Sequence, residues 1–286
     1  MLHVACVADA NYGAYAGITL ASVIASNDPA KLHLHVFSDG ITPKDIRRLG
    51  RMAQSAGARL SLYDIRPTLD GHPALQAPSH YSRAAYGRLF MADFLADDIE
   101  WILYLDCDVI CQRPLAELWA ARDTIPLAGA VRDVWEDPNL AHKRAIGIDP
   151  GQTYYNSGVF LVNVNLWRKR KLMKPLLEFL KANPKVKFVD QDAINAVIGW
   201  EITELPRKWN VFLYAPDEGE MAELLFAGHN IHYCAGLKPW HFGYTMLGGV
   251  AASSYKRAKW SSPWRWSPPD FQVARIRRKL RSKFTQ

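Results

Sequence analysis

Two acidic residues stand one residue apart at the end of an apolar run in the stretch WILYLDCDVI, residues 101–110. The run is typical of a buried strand, and two like charges that end such a strand repel one another unless a cation lies between them. Both side chains can reach one ion only where the strand bends, because alternate residues of an extended chain point to opposite faces. Carboxylate oxygens favour Mg²⁺ or Mn²⁺. Asp106 and Asp108 are therefore candidate metal ligands, with a surface turn as the alternative interpretation.

Strand and helix signals alternate along the first hundred residues. Thr42 is a good N-cap and Pro43 suits the first position of a helix. The sequence predicts helices over about 14–26, from 42 onward and over 82–95, and strands over 2–8, 32–37, 59–63 and 101–105. This alternation predicts an α/β fold with a mostly parallel sheet, helices on both faces and ligands at the carboxyl ends of the strands.

Polar residues follow two of these strands. Asp9 and Asn11 come after the first strand, and the two aspartates come after the fourth, so all of them would face the crevice at that edge of the sheet. The sequence contains neither G-x-G-x-x-G nor G-x-x-x-x-G-K-[ST]. A dinucleotide or ATP site built on a glycine-rich loop is therefore not expected.

Composition indicates an ordinary globular protein. The chain has 286 residues, of which 49% are hydrophobic and 22% charged, enough for one large α/β domain or two small ones. Its four cysteines form no C-x-x-C pair, which favours a reducing compartment over a disulfide framework. The first residues lack the pattern of a secretory signal, and no run of 18 apolar residues suggests a membrane span. We expect a cytoplasmic protein.

Positive charge is concentrated at the C-terminal end. Residues 255–286 contain ten Lys or Arg and one acidic residue, whereas the rest of the chain has 25 basic and 27 acidic residues. The net charge of +7 therefore comes from a basic tail attached to a nearly neutral body. We place the boundary at residue 250, with a domain over 1–250 and the tail over 251–286.

Seven motifs in order resemble the retaining glycosyltransferases of family eight, the group that contains glycogenin and the bacterial lipooligosaccharide galactosyl- and glucosyltransferases. The resemblance runs from residue 4 to about residue 241 and rests on VADANY (7–12), HYSRAAYGR (80–88), YLDCDVI (104–110), YYNSGVFLVN (154–163), VDQDAIN (189–195), LPRKWN (205–210) and HYCAGLKPWH (232–241). It implies a GT-A type fold, a single domain with a Rossmann-like nucleotide-binding half. It also implies transfer of a hexose from a UDP-sugar.

The resemblance assigns the first motif to the nucleotide. Family positions that match Ala8, Asp9, Asn11 and Tyr12 line the uridine pocket, with the aromatic ring on the base. Capping of the first helix by Asp9 and Asn11 is the alternative interpretation.

The resemblance also completes the metal site. It implies that His232 is the third ligand, that Lys238 neutralises a phosphate, and that the backbone of Ala235 and Gly236 lies beside it. Relatives often have glycine where this chain has Ala235, which is a departure from the family motif. Cys107 would offer its backbone to the ribose or metal site. Zinc binding at His232 and Cys234 is disfavoured because no further Cys or His follows at finger spacing.

The remaining motifs supply the sugar site. The resemblance implies that Arg88 meets the diphosphate or the donor sugar, a task that suits a planar guanidinium; a solvated helix face is the alternative. It places Asp133 and Asn156 in the donor-sugar site, Asp190 on the sugar hydroxyls and Gln191 beneath the anomeric carbon. His80 and Asp192 are weaker candidates for the acceptor. The stretch YYNSGVFLVN itself predicts a strand over 159–163 after a tight turn at Ser157-Gly158.

The expected reaction is retaining, metal-dependent transfer of galactose or, as second choice, glucose to a saccharide. Mn²⁺ is the expected ion, with Mg²⁺ as the alternative, and a lipopolysaccharide or lipooligosaccharide core glycan is the expected acceptor. No ordinary carboxylate nucleophile is available, so a double displacement through a glycosyl-enzyme is poorly supported. The resemblance implies front-face substitution instead. Two alternatives of other classes are a catalytically inactive sugar-binding protein of the same fold and a nucleic-acid binder that acts through the basic tail. No nucleic-acid motif occurs, so nucleic acid is not an expected partner.

The tail suits a membrane surface. Its first part is predicted to be irregular, and a helix with one apolar stripe follows Pro268-Pro269-Asp270; the stripe consists of Val273, Ile276, Leu280 and Phe284. Basic residues surround this stripe, as in helices that lie on anionic lipid. We expect 255–286 to attach the enzyme to the inner face of a bacterial cytoplasmic membrane, and the fold not to need it. A basic helix packed on the body is the alternative.

Overall fold

The protein is an α/β structure with one large sheet and one small sheet. The computed structural model describes residues 1–73, 75, 82–134, 136–213, 222–234, 236–246 and 248–268. Its strands are β1 (Leu2–Asp9), β2 (Leu32–Asp39), β3 (Arg59–Asp64), β4 (Trp101–Leu105), β5 (Val109–Cys111), β6 (Ala128–Arg132), β7 (Tyr155–Asn163), β8 (Ile202–Glu204), β9 (Val211–Phe212) and β10 (Asn230–His232).

Helices follow most of these strands. They are α1 (Gly13–Ser26), α2 (Pro43–Ala56), α3 (Arg66–Asp70), α4 (Met91–Phe94), α5 (Ala116–Ala120), α6 (Leu140–Ala145), α7 (Val164–Lys169), α8 (Met173–Ala182), α9 (Val189–Ile198), α10 (Ala222–Ala227) and α11 (Gly249–Trp260). Thr42 caps α2 as predicted, because its side chain accepts the N–H of Asp45. The helix predicted over 82–95 is mostly a 3-10 helix, Arg83–Phe90, which α4 continues for one turn. None of the helices in the described ranges is long and apolar enough to cross a bilayer.

The large sheet has the order β3-β2-β1-β4-β7-β6-β8. Its first four strands are parallel, and β7 runs antiparallel to both β4 and β6. Helices cover both faces: α1, α2 and α11 pack on one, while α4, α8 and α9 pack on the other. Alternate residues of β1 supply the two cores, with Val4 and Cys6 on one face and Ala5 and Val7 on the other. The predicted α/β sheet is confirmed.

The predicted turn at Ser157-Gly158 is wrong. Both residues lie inside β7, which continues from Tyr155 to Asn163. The pairing register between β6 and β7 shifts at Ala130/Val131, where the partner changes from Phe160 to Asn156, so residues 157–159 of β7 have no register partner in β6. The polar residues of the motif therefore stand on a buried strand next to the end of β4.

The small sheet contains β5, β10 and β9. Three residues separate the end of β4 from the start of β5, so the chain turns from one sheet into the other at Asp106-Cys107-Asp108. This is the bend that the two aspartates require if they share an ion. The antiparallel pairing of β5 with β10 sets His232 opposite Val109, directly beside that bend.

The first part of the basic tail belongs to the fold. Residues 253–270 were predicted to be irregular and residues 255–286 not to be needed by the fold, and both predictions are wrong for the described residues up to 268. Helix α11 runs to Trp260 and packs on α1, with Ala251, Ala252 and Tyr255 buried. Beyond it, Trp264 has 0% exposure and its Nε1–H donates to Asp45 Oδ1 over 2.7 Å. A Cβ on Gly17 would lie 2.2 Å from this indole ring, so α1 is shaped to receive it. The predicted stripe over 273–284 lies outside the described residues.

Replacing Trp264 with alanine should lower the free energy of unfolding by about 3–5 kcal/mol, the usual cost of emptying a large buried aromatic site. Urea unfolding followed by circular dichroism measures the change. Trp266→Ala is the matched control, because Trp266 is 76% exposed and should cost no more than about 0.5 kcal/mol. Equal effects of the two substitutions would show that the segment after α11 does not pack on the domain.

Candidate functional site

The two aspartates are held at the junction of the two sheets by backbone hydrogen bonds. Asp106 N–H donates to the carbonyl oxygen of Gly158 in β7 over 2.8 Å, and Val109 N–H donates to Asp106 O over 3.1 Å. Tyr233 N–H, just beyond β10, donates to Asp108 O over 3.0 Å. The acidic turn is thus fastened to both sheets, and its side chains have a fixed direction.

Asp106, Asp108 and His232 converge on one point. His232 Nε2 lies 3.2 Å from Asp108 Oδ1 and 3.7 Å from Asp106 Oδ2, and one ligand atom from each residue lies within 4.8 Å of the others. Two carboxylate oxygens and one imidazole nitrogen form a donor set that fits a divalent cation. The three residues that the sequence analysis assigned to a metal are therefore brought together as a candidate metal site.

The imidazole is oriented by a buried amide. His232 Nδ1 lies 3.0 Å from Asn210 Oδ1, and Asn210 Nδ2–H donates to Asn156 Oδ1 over 2.9 Å. Because an amide oxygen only accepts, Nδ1 carries a proton, and Nε2 is the nitrogen that faces the aspartates and would offer its lone pair to a bound ion. This arrangement is the usual support for a metal-binding histidine. Asn210 has 0% exposure, and no role was predicted for it, although it ends the motif LPRKWN.

Two cations balance the carboxylates. Lys238 Nζ lies 2.6 Å from Asp108 Oδ2, and Arg88 Nη2–H donates to Asp106 Oδ1 over 2.7 Å. Tyr104 O–H also donates to Asp106 Oδ1, over 2.7 Å. The oxygens of Asp106 are therefore divided: Oδ1 is engaged by the protein, while Oδ2 faces His232.

These contacts shift the ionisation of the site. Burial alone would raise the pKa of Asp108, but the charges of Lys238 and His232 lower it below its ordinary value. Burial would lower the pKa of Lys238, and the Asp108 carboxylate raises it instead. Burial likewise opposes the charge on Arg88, whose pKa is nevertheless raised by Asp106 and Asp190. Asp108, Lys238 and Arg88 are therefore charged at neutral pH.

Arg88 joins the candidate metal site to a second group of polar residues. Its Nη1–H donates to the carbonyl oxygen of Ser157 over 2.7 Å and to Ser157 Oγ over 2.9 Å, while its Nε lies 2.7 Å from Asp190 Oδ2. The guanidinium also lies 4.3 Å from the centre of the Tyr104 ring. Arg88 is buried, so it acts within this structure as a bridge between two carboxylates and not as a solvated residue on a helix face.

The second group is a hydrogen-bonded chain at the ends of β6, β7 and α9. Asn156 Nδ2–H donates to Asp133 Oδ2 over 3.2 Å, and Gln191 Nε2–H donates to the same oxygen over 3.5 Å. Ser157 N–H donates to Gln191 Oε1 over 3.0 Å, which fixes the orientation of the Gln191 amide. With Asn210, this chain runs without interruption from His232 to Gln191.

Helix α9 presents its first turn to the cavity. Val189 starts the helix with φ of +36°, a left-handed conformation that a β-branched residue rarely adopts. Asp190 follows it, and burial raises the pKa of Asp190 to about 7, although Arg88 opposes the shift. Asp190 does not cap the helix, because the N-cap position belongs to Phe188.

Asp192 was predicted as a weak acceptor contact, and the structure does not bring it to the cavity. Its side chain is fully buried. Oδ1 accepts from His142 Nε2 over 2.8 Å and from Tyr154 O–H, while Oδ2 accepts the N–H groups of Lys187 and Phe188. Asp192 therefore shapes the loop before α9, which in turn sets the position of Asp190 and Gln191.

The motif VADANY (7–12), which was predicted to bind the nucleotide, begins within β1 and ends directly before α1. Asp9 Oδ1 accepts from Asn11 N–H over 2.8 Å and from Tyr12 N–H over 3.0 Å, in the turn before α1. The N-cap residue of α1 is Tyr12, with no side-chain cap hydrogen bond, so the capping alternative is wrong. Tyr12 is 37% exposed and lies edge-on to Tyr15 and Trp240. These two contacts fix the orientation of the Tyr12 ring, which lines the cavity.

One cavity of about 290 Å³ connects these groups. Of the residues singled out from the sequence, those that line it are Ala8, Asp9, Tyr12, Arg88, Asp106, Cys107, Asp108, Asp133, Asn156, Asp190, Gln191, His232 and Lys238. Asn11 and Gly236 are exposed and do not line it, and His80 and Ala235 lie outside the described residues. Cys107 lines the cavity, but its thiol is engaged, because Sγ lies 3.1 Å from the carbonyl oxygen of Val7.

Sequence reasoning missed several residues of the cavity and its support. Tyr104 and Ser157 lie within quoted motifs and line the cavity, but their contacts with Arg88 depend on strand pairing that the motifs do not specify. Gly158 is the clearest case. A Cβ at this position would lie 2.2 Å from His232 Cε1 and 2.8 Å from Asp106 Oδ2, so only glycine lets these two side chains approach each other.

Two solved glycosyltransferases resemble this chain in fold. A galactosyltransferase, LgtC, in complex with donor and acceptor sugar analogs matches with a TM-score of 0.78 and 26% identity, covering 92% of this chain and 96% of that one. The bifunctional glycosyltransferase WbbM has the same fold, with a TM-score of 0.75 and 21% identity over 93% of this chain and 50% of that one. The fold and the site thus define a glycosyltransferase with the GT-A fold.

The chain belongs to glycosyl transferase family 8, whose family model matches residues 3–243. A lipopolysaccharide 1,2-glucosyltransferase of Escherichia coli K12 is 29% identical over 283 residues, covering 94% of this chain and 80% of that protein. A lipopolysaccharide 1,3-galactosyltransferase of Salmonella typhimurium is 26% identical over 271 residues, 90% of this chain and 77% of that protein. General stress protein A of Bacillus subtilis is 26% identical over 256 residues, 84% and 88% respectively. The family predicted from the motifs is confirmed.

Gly158→Ala should abolish binding of a divalent cation at the candidate metal site, because the added methyl group occupies space between Asp106 and His232. Isothermal titration with Mn²⁺ measures binding, and circular dichroism checks that the variant folds. The matched control is Gly50→Ala, where an added Cβ meets nothing within 4 Å. A folded Gly158→Ala protein that binds Mn²⁺ like the parent would contradict the placement of the site.

Proposed function

We propose that the protein is a retaining, metal-dependent hexosyltransferase that moves galactose, with glucose as second choice, from a UDP-sugar to a saccharide. The observation that carries this proposal is the meeting of two residue groups in one cavity. Metal-ligating and cationic residues lie at one end of it, and hydrogen-bonding residues suited to sugar hydroxyls lie at the other. A nucleoside diphosphate-sugar is divided in the same way, with a charged diphosphate that suits the first end and sugar hydroxyls that suit the second.

In the proposed donor complex, Asp106, Asp108 and His232 would hold the cation, and Lys238 would compensate the charge of the diphosphate beside it. The cation, Mn²⁺ or Mg²⁺, supplies stabilisation of negative charge on the leaving diphosphate. Lys238 Nζ lies 2.6 Å from Asp108 Oδ2, so its ammonium group is placed at the edge of the cation site, where it would meet a phosphate oxygen of the donor. Uracil stacks on Tyr12 at the rim, beside Asp9, and the backbone of Cys107 approaches the ribose.

The sugar occupies the end lined by Asp133, Asn156, Asp190 and Gln191. The fixed amide of Gln191 lies below the anomeric carbon, and it is not a nucleophile. Asp190 is a poor nucleophile as well, because its carboxyl is buried and lies 2.7 Å from the Arg88 guanidinium. These features support front-face substitution, in which the leaving diphosphate helps to deprotonate the acceptor hydroxyl, over a covalent glycosyl-enzyme.

The relatives support a core glycan of lipopolysaccharide or lipooligosaccharide as the acceptor, since their names describe lipopolysaccharide glucosyl- and galactosyltransferases. Galactose and glucose differ in the orientation of one hydroxyl group, which contacts from several loops must distinguish. The acceptor assignment extends to a free oligosaccharide or a lipid-linked glycan of similar chemistry.

Release of UDP from a panel of UDP-sugars, measured with and without Mn²⁺ and a core oligosaccharide, tests this function. We expect UDP-galactose to react fastest, and only when the ion is present. Asp108→Asn should lower transfer at least about a hundredfold, the cost of losing a main electrostatic stabiliser, while the fold stays intact. Asp123→Asn is the matched control, because that side chain is 69% exposed. Retention of most metal-dependent activity by Asp108→Asn would refute the metal assignment, and release from no donor would favour a sugar-binding protein.

We also propose that the enzyme attaches to the inner face of the bacterial cytoplasmic membrane through the end of its chain. Two exposed indoles, Trp260 (60%) and Trp266 (76%), lie 5.3 Å apart between ring centres. Residues 269–286 follow directly and contain six Lys or Arg and one acidic residue. Aromatic rings beside clustered cations suit the interface of an anionic bilayer, where each cation contributes about 1 kcal/mol. Binding of nucleic acid by the same segment is the alternative.

Removal of residues 269–286 should release the protein from anionic vesicles at low salt. The cut falls after residue 268 because Tyr255 and Trp264 are part of the core, so turnover on soluble acceptors should be kept. Co-sedimentation with vesicles of phosphatidylglycerol measures the effect, and uncharged vesicles are the control. If the shortened chain sediments as the whole chain does, at low and high salt alike, the segment is not the anchor.

A further inference from the structure

A second group of metal-ligating residues lies far from the cavity, on β1 and β2. His33 and His35 stand two residues apart on β2, so their side chains point to the same face of the sheet. His3 on β1 pairs in register with His33, and neighbouring residues in register share a face. Three imidazoles therefore stand together, near the amino ends of both strands. At about 3.3 Å per residue, His3 is about 20 Å from the carboxyl end of β1 and the cavity there.

The rings are close enough to share an ion. His3 Nδ1 lies 3.0 Å from His35 Nε2, and one ring nitrogen of each of the three histidines lies within 4.8 Å of the others. Two nitrogens that bind one Zn²⁺ at about 2.0–2.1 Å with tetrahedral angles are about 3.3 Å apart. The pair formed by His3 and His35 is already near that separation, and His33 completes a set of three on the same face.

The outer ring nitrogens have partners on β3. His35 Nδ1 lies 3.1 Å from the Tyr63 hydroxyl, and His33 Nε2 lies 2.8 Å from Ser61 Oγ. A hydroxyl that accepts a hydrogen bond at one nitrogen of an imidazole fixes the tautomer and leaves the lone pair on the other nitrogen. Metal-binding histidines are commonly supported in this way. His35 is buried, and His3 and His33 are half-buried, so an ion can enter from solvent.

The ionisation of the group agrees with this arrangement. Burial lowers the pKa of His3 to about 4 and that of His35 to about 3, with the neighbouring histidines adding to the shift. Burial also lowers the pKa of His33. Neutral imidazoles bind metals without having to release a proton first.

We propose that His3, His33 and His35 form a second metal site that takes a borderline transition ion such as Zn²⁺. Imidazole nitrogen favours Zn²⁺, Ni²⁺ and Cu²⁺, whereas the oxygen-rich site of Asp106 and Asp108 favours Mn²⁺ or Mg²⁺. An ion held by both β1 and β2 would link the amino ends of the two strands, at the end of the sheet opposite the donor cavity. The alternative is a purely structural chain of hydrogen bonds from His3 through His35 to Tyr63.

Titration of the metal-free whole chain with Zn²⁺, in a preparation without a histidine tag, tests the proposal. The background is His232→Gln, which removes the imidazole of the cavity site. We expect this protein to bind one Zn²⁺ and to gain melting temperature with it. Adding His33→Gln should weaken the binding at least about tenfold, the size of effect seen when only an outer partner of a metal ligand is lost. Adding His72→Gln, the control, should change nothing, because His72 lies outside the cluster.

Two further variants keep the test decisive if His33→Gln fails to fold. His3→Gln removes a half-buried ligand, and Tyr63→Phe removes only the hydroxyl beside His35; both should weaken Zn²⁺ binding. Tetrahedral Co²⁺ absorption in the visible range provides a direct signature of imidazole ligation. Absence of Zn²⁺ binding in the His232→Gln protein, or binding that is unchanged by His3→Gln and His33→Gln, would overturn the proposal and leave the hydrogen-bonded chain. Neither result depends on which sugar the enzyme transfers.

Discussion

The repulsion between Asp106 and Asp108 is the constraint that organises this structure. Two carboxylates in a largely buried turn are stable only if positive charge surrounds them. Arg88 and Lys238 supply it from different parts of the chain, and His232 approaches from the small sheet. The charge arrangement that stabilises the turn is also the one that the proposed binding of a divalent cation and a diphosphate would use.

A hydrogen-bonded chain makes the two ends of the cavity one unit. It runs from His232 through Asn210, Asn156 and Asp133 to Gln191, and each member is buried. A buried network with every member satisfied is rigid, because breaking one bond leaves a polar group without a partner. The candidate metal site and the proposed sugar end of the cavity are therefore held at a fixed distance, as the proposed binding of both halves of one donor would require. The left-handed Val189 is consistent with this, since such strain persists only where the surroundings enforce it.

The C-terminal segment has a packed part and an exposed part that its composition does not separate. Trp264 and one face of α11 complete the core beside α1, while Trp260 and Trp266 stay in solvent. Indole rings a few residues apart thus differ completely in their contribution to stability. The basic residues that dominate the charge of this segment mostly follow the last packed residue, so attachment to a surface would not disturb the domain.

The sequence by itself determined the elements with strong local signals. Apolar runs located β1, β2 and β4, Thr42-Pro43 located the start of α2, and the acidic pair marked the edge of the sheet where ligands bind. These features depend on neighbours in the chain, which is why they could be predicted. The ordered motifs then indicated the family, and through it most residues of the cavity.

Only the tertiary structure decided how these residues meet. His232 reaches the acidic turn because β10 pairs with β5, and Gly158 is required because β7 passes directly beneath that histidine. Asp192, Asn210 and Trp264 have types that are common on surfaces, in caps or at interfaces, yet all are buried. The physical reason is the same in each case: strand register and helix packing choose partners that are distant in the chain, and burial then decides whether a polar group supports the fold, orients a ligand or faces the substrate.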